Sequence, residues 1–444
     1  MRLPRSPLSQ ARWLTRAWLW TFSALAGLAV VGFAKLADLA FGVFVAIQAR
    51  HPWAPFVLSP VIGGVTVWAT QRYFPGAQGS GIPQVIAAAR LVAQRKTARH
   101  LVSPRIALGK IGLGALALTG GFAAGREGPS VQVAASLLHT CHRFLPHTRA
   151  IRLQDLILAG GAAGVAAAFN TPLAGIVFAG EELGRRLETR TSGIVMSVII
   201  LSGLVAVALL GNYNYFGQLK IGDVGLTIVK PLLFCGICCG LLGGLFSRLL
   251  LWPLRQPAYF LWRWRARYPL HFAAGCGLAV ALLGWLSDGI AFGSGYAITE
   301  KAISGATGLP WHALLFRYAA TLVSYFSGIP GGIFSPALSI GAALGADIAT
   351  LFPALPSATP ILALCMAGFL AAITQAPITS AIIVMEMIDG HNMALSLLAV
   401  ALLAKAISSR ISPELYQRLA LEFLPPTASA ATPRAIRHDT NSVS

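Results

Sequence analysis

One carboxylate in this chain is unusual, because it lies in a sequence that otherwise has the composition of a membrane interior. Glu127 is the centre of Gly125-Arg126-Glu127-Gly128-Pro129, between helix-breaking glycines and a proline. A charged side chain at membrane depth is costly, so such an acid usually marks an ion or proton pathway. The alternatives are a salt bridge to Arg126 or a loop outside the membrane. The sequence favours a functional role for Glu127.

Two further segments share this arrangement of glycines before a proline, Gly79-Ser80-Gly81-Ile82-Pro83 and Gly332-Ile333-Phe334-Ser335-Pro336. Proline suits the first turn of a helix, because its missing N–H would be unbonded there anyway. Each motif therefore predicts the N-terminus of a half-helix inside the membrane. Unpaired N–H groups and the positive end of the helix dipole bind an anion at such a place. Ser80 adds a hydroxyl donor.

This arrangement is typical of anion conduction, in which an anion must be held firmly enough to enter and loosely enough to leave. The carboxylate of Glu127 is itself an anion, so it can occupy the site and block it. Protonation of Glu127, or competition by a permeant anion, would release the carboxylate. One side chain would then couple anion passage to proton uptake.

The elements that hold these motifs are membrane helices. The chain has 444 residues, of which 56% are hydrophobic and only 11% charged, and this predicts an all-α polytopic membrane protein. Some apolar stretches, such as 17–45 and 227–252, are long enough to span, whereas others are broken by Gly or Pro. Broken helices at membrane depth occur where the backbone lines a cavity or is buried in protein. Such breaks are candidate site positions.

The predicted organisation is a single membrane domain, residues 17–420, with halves at about 17–211 and 227–420. Short tails precede it at 1–16 and follow it at 421–444. The net charge is +19, and the basic residues that produce it lie in short loops and tails. This pattern predicts that both termini are cytoplasmic and argues against a nucleic-acid partner, because the basic residues form no separate domain.

An internal repeat relates the two halves. Repeats with broken helices in matching places are the pattern of transporters and channels, with the site between the halves. Three pairs of segments correspond in the same order, at offsets between 205 and 214 residues: Gly79-Ser80-Gly81 with Gly293-Ser294-Gly295, Gly125-Arg126-Glu127-Gly128-Pro129 with Gly332-Ile333-Phe334-Ser335-Pro336, and the stretch from Asn170 to Glu181 with that from Gln375 to Glu386.

Two adjacent acids, Glu181 and Glu182, end an apolar stretch. Arg185, Arg186 and Arg190 follow them. Either these groups form a helix end with compensating charge pairs, or the acids belong to a proton relay on the cytoplasmic side. The residues alone leave both interpretations open.

Three other groups of residues predict no chemistry from composition alone. Tyr416 is typical of an interfacial aromatic. The six cysteines lie mostly in apolar helices, where a thiol behaves as a small hydrophobe. The cluster of His139, Cys141, His142 and His147 has irregular spacing and no acid, so we expect a solvated loop and no metal site.

Together the three Gly-to-Pro motifs resemble the three filter motifs of the ClC chloride channels and transporters. The segment Asn170-Thr171-Pro172-Leu173-Ala174-Gly175 is similar to a further ClC segment. The resemblance implies the ClC fold, with two inverted repeats of tilted and broken helices, in a homodimer with one pore per subunit. Gln84 differs, because many members have an acid there.

The resemblance also implies a set of site residues. The hydroxyls of Ser80 and Tyr416 and the backbone N–H groups of Ile333 and Phe334 would bind a central chloride. A serine at position 80 is typical of chloride transport, whereas a proline would indicate nitrate. The fluoride-exporting branch lacks the Gly-Ser-Gly-Ile-Pro pattern, which argues against fluoride.

The function that follows is chloride/proton exchange in a bacterial inner (plasma) membrane. In this prediction Glu127 is the gate, Glu182 transfers protons on the internal side, and no cofactor or metal takes part. The alternative is a passive chloride channel of the voltage-gated type with the same fold. An intramembrane enzyme is not expected, because the metalloprotease His-Glu-x-x-His motif and a rhomboid-like serine motif are absent.

Overall fold

The structure, a computed structural model, describes residues 7–145, 151–183, 192–211, 225–305, 308–353 and 357–425. Nineteen α-helices occur in these residues, and no β-strand does. The first half contains α1 Pro7–Arg50, α2 Pro55–Tyr73, α3 Ile82–Ala93, α4 Pro104–Thr119, α5 Glu127–Cys141, α6 Leu153–Phe169, α7 Pro172–Phe178 and α8 Ser192–Leu210. The second half contains α9 Val229–Leu250, α10 Trp252–Arg255, α11 Phe260–Arg267, α12 Pro269–Leu286, α13 Tyr296–Ile303, α14 Ala313–Ser327, α15 Phe334–Ala349, α16 Thr359–Thr374, α17 Pro377–Ile388, α18 Ala394–Ile411 and α19 Leu415–Ala420.

Helix lengths fall into the two groups that the sequence predicts. Within the described residues, four helical segments are long and apolar enough to cross a membrane: Trp13–Arg50, Val229–Leu250, Pro269–Leu286 and His391–Ile411. Other apolar helices, such as α3 with 12 residues and α15 with 16, are too short for a hydrocarbon core of about 30 Å. Helix α1 begins at Pro7, so part of the predicted N-terminal tail 1–16 is helical.

Helices α6 and α16 form the centre of the core. Every residue from Leu156 to Phe169 is buried in α6, and every residue from Pro360 to Thr374 is buried in α16. Small residues allow neighbouring helices to approach closely in a membrane. A Cβ on Gly160 of α6 would lie 2.8 Å from the Ala134 carbonyl oxygen of α5. Helices α6 and α16 thus support α5 and α15, whose N-termini carry two of the three motifs.

Corresponding residues of the two halves contact each other reciprocally. The N–H of Gly125 donates to the Gly332 carbonyl at 2.8 Å, and the N–H of Gly332 donates back at 2.7 Å. The Glu181 carboxylate accepts from the first turn of α17, and the Glu386 carboxylate accepts from the first turn of α7. Reciprocal contacts of this kind are what a two-fold rotation between the halves produces. They fit the duplication predicted from the sequence and the geometry of inverted repeats.

Candidate functional site

The candidate site is the point at which three helix N-termini meet. Helix α3 begins at Ile82 after Gly81, α5 begins at Glu127, and α15 begins at Phe334. All three starts lie where the motifs predict them. Gly81 has φ +104°, a conformation that favours glycine, and it allows the chain to turn sharply into α3.

Backbone hydrogen bonds hold the three loops before these helices together. Besides the Gly125–Gly332 pair, the N–H of Gly79 donates to the Ile329 carbonyl at 3.1 Å, and the N–H of Gly331 donates to the Gly79 carbonyl at 3.0 Å. The first N–H groups of each helix have no acceptor within that helix. These donors and the positive ends of three helix dipoles therefore point into one small region.

Two hydroxyl groups lie in this region. Ser80 is 3% exposed and Tyr416 is 0% exposed. The two hydroxyls lie next to each other, and neither forms a hydrogen bond with any other protein group in the described part of the chain. Buried polar groups are normally satisfied, so two adjacent hydroxyls with no further protein partner indicate a place for a bound anion or water. The burial of Tyr416 shows that its interpretation as an interfacial aromatic is wrong.

Close approach of the motifs depends on glycine at one position. A Cβ on Gly128 would lie 2.5 Å from the Ser80 hydroxyl oxygen and 3.2 Å from the Gly332 Cα. Any larger residue at 128 would therefore force α5 away from Ser80. On the opposite side, the ring of Phe334 packs edge-on against Tyr416 with centroids 6.0 Å apart, and Phe178 packs against Phe334 at 6.1 Å. These rings keep the surroundings apolar.

Glu127 lies in the first turn of α5 and is fully buried. One carboxylate oxygen, Oε1, accepts a hydrogen bond of 2.9 Å from the Ser335 hydroxyl of α15. The other oxygen lies over Gly125. Neighbouring Arg126 forms an ion pair of 2.5 Å with Asp38 of α1 and donates to the Ala34 carbonyl. The structure thus places the acid of the motif between two of the three helix N-termini.

The adjacent acids Glu181 and Glu182 have different surroundings. The Glu181 carboxylate accepts from the N–H groups of Ile378 and Thr379, at 3.2 and 2.7 Å, so it caps α17. Glu182 is 5% exposed, in a π-helical turn that follows α7. Arg185, Arg186 and Arg190, the partners considered for these acids, lie outside the described residues.

Glu182 is connected to the helix that carries Tyr416. Its backbone carbonyl accepts a hydrogen bond of 3.1 Å from the Gln417 amide, and Gln417 follows Tyr416 in α19. Arg90 of α3 donates to the other end of that amide. Tyr416 lies within the electrostatic influence of both Glu182 and Glu127. The structure therefore brings the two acids near the same tyrosine.

Two buried cations near the motifs were missed by the sequence analysis. The Lys110 ammonium donates to carbonyls of the loop before Ser80, and the Arg317 guanidinium donates to carbonyls of Ile290 to Gly293 in the corresponding loop. Lys110 and Arg317 are 207 residues apart, the same offset as Pro129 and Pro336. That shared offset is the signal that would have found them.

The remaining cysteines and histidines lie away from this site. The six cysteines are free thiols. Within the described residues, no group of three or more His, Cys, Asp or Glu side chains has the geometry of a metal site. His147, a member of the cluster considered above, lies outside those residues.

Comparison with known proteins places the chain among chloride-transporting membrane proteins. Residues 62–409 match the family described as voltage gated chloride channel. The H(+)/Cl(-) exchange transporter ClcA of Salmonella paratyphi A is 31% identical over 356 residues, which cover 78% of this chain and 74% of that protein.

Solved structures share the fold at lower identity. A slow cyanobacterial Cl-/H+ antiporter superposes with a TM-score of 0.79 at 23% identity, covering 92% of this chain and 97% of the other. A CLC-type fluoride/proton antiporter superposes with a TM-score of 0.74 at 23% identity, covering 93% and 99%. A eukaryotic CLC transporter gives 0.74 at 21% identity, covering 92% and 74%. At these identities the similarity shows the fold.

Proposed function

The chain belongs to the voltage-gated chloride channel family, the ClC family, and we propose that it exchanges chloride for protons across a membrane. The observation that carries this proposal is the position of Glu127, a buried acid at the meeting point of three helix N-termini and beside two hydroxyls. The similarity to a named H(+)/Cl(-) exchange transporter supports it independently.

Chloride in this proposal binds between α3, α15 and α19. The hydroxyls of Ser80 and Tyr416 donate to the anion, together with the backbone N–H groups of Ile333 and Phe334 at the start of α15. Partial charges at helix ends hold an anion without a full positive charge at contact distance. The binding is therefore strong enough to replace water and weak enough to permit release, as conduction requires.

Glu127 acts in this proposal as both gate and proton carrier. Ionised, its carboxylate competes with chloride for the same positive region at the starts of α5 and α15. Protonated, it loses that attraction and leaves the region to chloride. An exchange of carboxylate for chloride that follows protonation therefore takes up one proton at Glu127, and the return of the carboxylate releases it.

Glu182 is proposed to deliver protons from the internal side. It is the nearly buried member of the acidic pair, and the other member, Glu181, is already engaged in capping α17. Its link through Gln417 to the helix that carries Tyr416 supports a role near the proposed chloride site in which Glu182 is not itself a chloride ligand. A proton entering at Glu182 would reach Glu127 through the region around Tyr416.

The setting of this activity is also a proposal. We place the chain in a bacterial inner membrane, as a homodimer with both termini in the cytoplasm. Each subunit would carry its own site and transport chloride and protons, with the lipid bilayer as the surrounding medium. The proposal includes no cofactor, no nucleic-acid partner and no enzymatic step. The helices long enough to span are consistent with a multi-pass protein.

Proteoliposome flux tests the function directly. A chloride gradient is imposed while external pH and chloride efflux are recorded together. Exchange requires proton movement driven by chloride, lost in Glu127→Ala and Glu182→Gln. Chloride efflux without proton movement in the wild type would instead make the protein a passive channel. Absence of any anion flux from correctly folded protein would contradict both functions.

A further inference from the structure

The loop that precedes Ser80 is held by a buried lysine. The Nζ atom of Lys110, on α4, donates to the carbonyl oxygens of Ala77, Gln78 and Gly79 at 2.8, 3.4 and 2.6 Å. Lys110 is 0% exposed. Its last acceptor, Gly79, is the residue directly before Ser80, so the lysine lies close behind the proposed chloride site.

The geometry around Lys110 fits the charged ammonium. An ammonium has three N–H donors, and three carbonyl oxygens surround the nitrogen. A neutral amine would supply only two hydrogens to these acceptors. Burial opposes the charge, and hydrogen bonds to the carbonyl oxygens offset part of that cost. No acidic side chain contacts Lys110 within the described ranges, so its charge has no counter-charge at contact distance there.

The second side chain that holds this loop is neutral. Gln84, in the first turn of α3, accepts from the Gly81 N–H at 3.1 Å through Oε1. Its Nε2 donates to the carbonyl oxygens of Gln78 at 2.5 Å and Gly76 at 3.4 Å. An amide makes both kinds of bond, whereas a carboxylate can only accept.

Gln84 and Lys110 share one acceptor. Nε2 of Gln84 lies 2.5 Å and Nζ of Lys110 lies 3.4 Å from the Gln78 carbonyl oxygen, so the two nitrogens are no more than 5.9 Å apart. A carboxylate at position 84 would therefore place a negative charge close to the ammonium and oppose much of its field. The amide leaves the charge of Lys110 in place.

We propose that Gln84 and Lys110 together set the chloride affinity of the Ser80 site. Lys110 supplies a positive charge behind the filter loop, and Gln84 completes the loop without adding a negative one. The pair thus acts on affinity through charge and touches no chloride. This inference rests on the proposed chloride site and identifies a determinant of affinity outside the three motifs.

The test is chloride binding to detergent-solubilised protein, measured by titration calorimetry in gluconate buffer. If the unit charge is taken to lie about 8 Å from the anion, at an effective dielectric constant of about 20, it changes the dissociation constant about 30-fold. We expect Gln84→Glu to weaken chloride binding by about that factor. Lys110→Gln removes one positive charge, which lowers the local net charge by the same one unit. It should therefore weaken chloride binding to a similar extent.

Two control variants separate charge from structure. Gln84→Met loses the loop hydrogen bonds without changing the charge, and we expect it to weaken chloride binding clearly less than Gln84→Glu does, since the coulombic contribution is absent. Gln94→Glu adds the same carboxylate at an exposed position after α3, where water screens it, and should leave affinity unchanged.

Each result bears on the proposal. Unchanged affinity in Gln84→Glu, or equal weakening in Gln84→Met and Gln84→Glu, would overturn it. If Gln84→Glu fails to fold, Lys110→Gln carries the same prediction, and wild-type affinity in that variant overturns it equally. If the wild-type protein binds no chloride in this assay, the proposed function itself is contradicted. That result is distinguishable from failure of the Gln84 and Lys110 proposal, in which the wild type binds chloride and the variants bind it equally well.

Discussion

Replacing Tyr416 by phenylalanine should move stability and chloride binding in opposite directions. The Tyr416 hydroxyl is fully buried and, apart from the adjacent Ser80 hydroxyl, has no hydrogen-bond partner in the described residues. A hydrogen bond to a charged partner contributes about 1.5–3 kcal/mol, so its loss raises the chloride dissociation constant roughly 10- to 150-fold. Without chloride, removing an unsatisfied hydroxyl should raise the free energy of unfolding by about 1 kcal/mol.

The assay is the thermal unfolding midpoint of solubilised protein in chloride and in gluconate. Chloride at one hundred times the wild-type dissociation constant stabilises the wild type by about 2.7 kcal/mol. After a 100-fold loss of affinity, the same concentration stabilises Tyr416→Phe by only about 0.4 kcal/mol. The chloride-dependent rise of the midpoint should therefore nearly disappear, whereas the midpoint in gluconate stays equal or rises.

Tyr318→Phe is the matched control. The Tyr318 hydroxyl donates to the Leu242 carbonyl at 3.1 Å, so its removal breaks a hydrogen bond within the protein. We expect stability to fall by about 1 kcal/mol in both salts, with the chloride-dependent rise unchanged. The Tyr416 hydroxyl does not bind chloride as proposed if chloride stabilises Tyr416→Phe as strongly as the wild type, or if that variant is destabilised in gluconate as much as Tyr318→Phe.

Three further predictions concern the acids and the glycine of the site. Glu127→Gln imitates the protonated gate, so liposomes should show chloride flux without coupled proton movement, and retained coupling would contradict the assigned role. Gly128→Ala places a Cβ 2.5 Å from the Ser80 hydroxyl, and it should abolish calorimetric chloride binding, whereas normal affinity would show that α5 need not approach so closely. Glu181→Gln and Glu386→Gln each remove the charge of a cap on the opposite half, so both should lower the free energy of unfolding by a similar amount, about 1 kcal/mol. Thermal midpoints that differ widely between these two variants would argue against the two-fold equivalence.

Much of the fold was predictable because backbone chemistry is local. A proline after glycines can begin a helix but cannot continue one, so the starts of α3, α5 and α15 follow from the residues themselves. The repeat was predictable for the same reason, since its signal is the order of such helix starts. The roles of Ser80, Glu127 and Glu182 remain predictions from resemblance.

Other features depend on which helix lies beside which, and one sequence does not contain that information. Composition assigned Tyr416 to the membrane interface, but packing of its ring against Phe334 buries it completely. Glu181 and Glu182 look equivalent along the chain. They differ because the Glu181 carboxylate accepts hydrogen bonds from the start of α17, whereas the Glu182 backbone carbonyl accepts one from Gln417.

The sequence by itself determined that this chain is a duplicated membrane protein with interrupted helices and an acid at one interruption. Those properties follow from hydrophobicity, from the missing N–H of proline, and from the cost of charge in hydrocarbon. Only the tertiary structure decided that three helix starts share one region, that Gly125 pairs with Gly332, and that Lys110 lies behind Ser80. These contacts join residues that are 30 to more than 200 positions apart, and they form because buried backbone groups and charges must find partners wherever the folded chain supplies them.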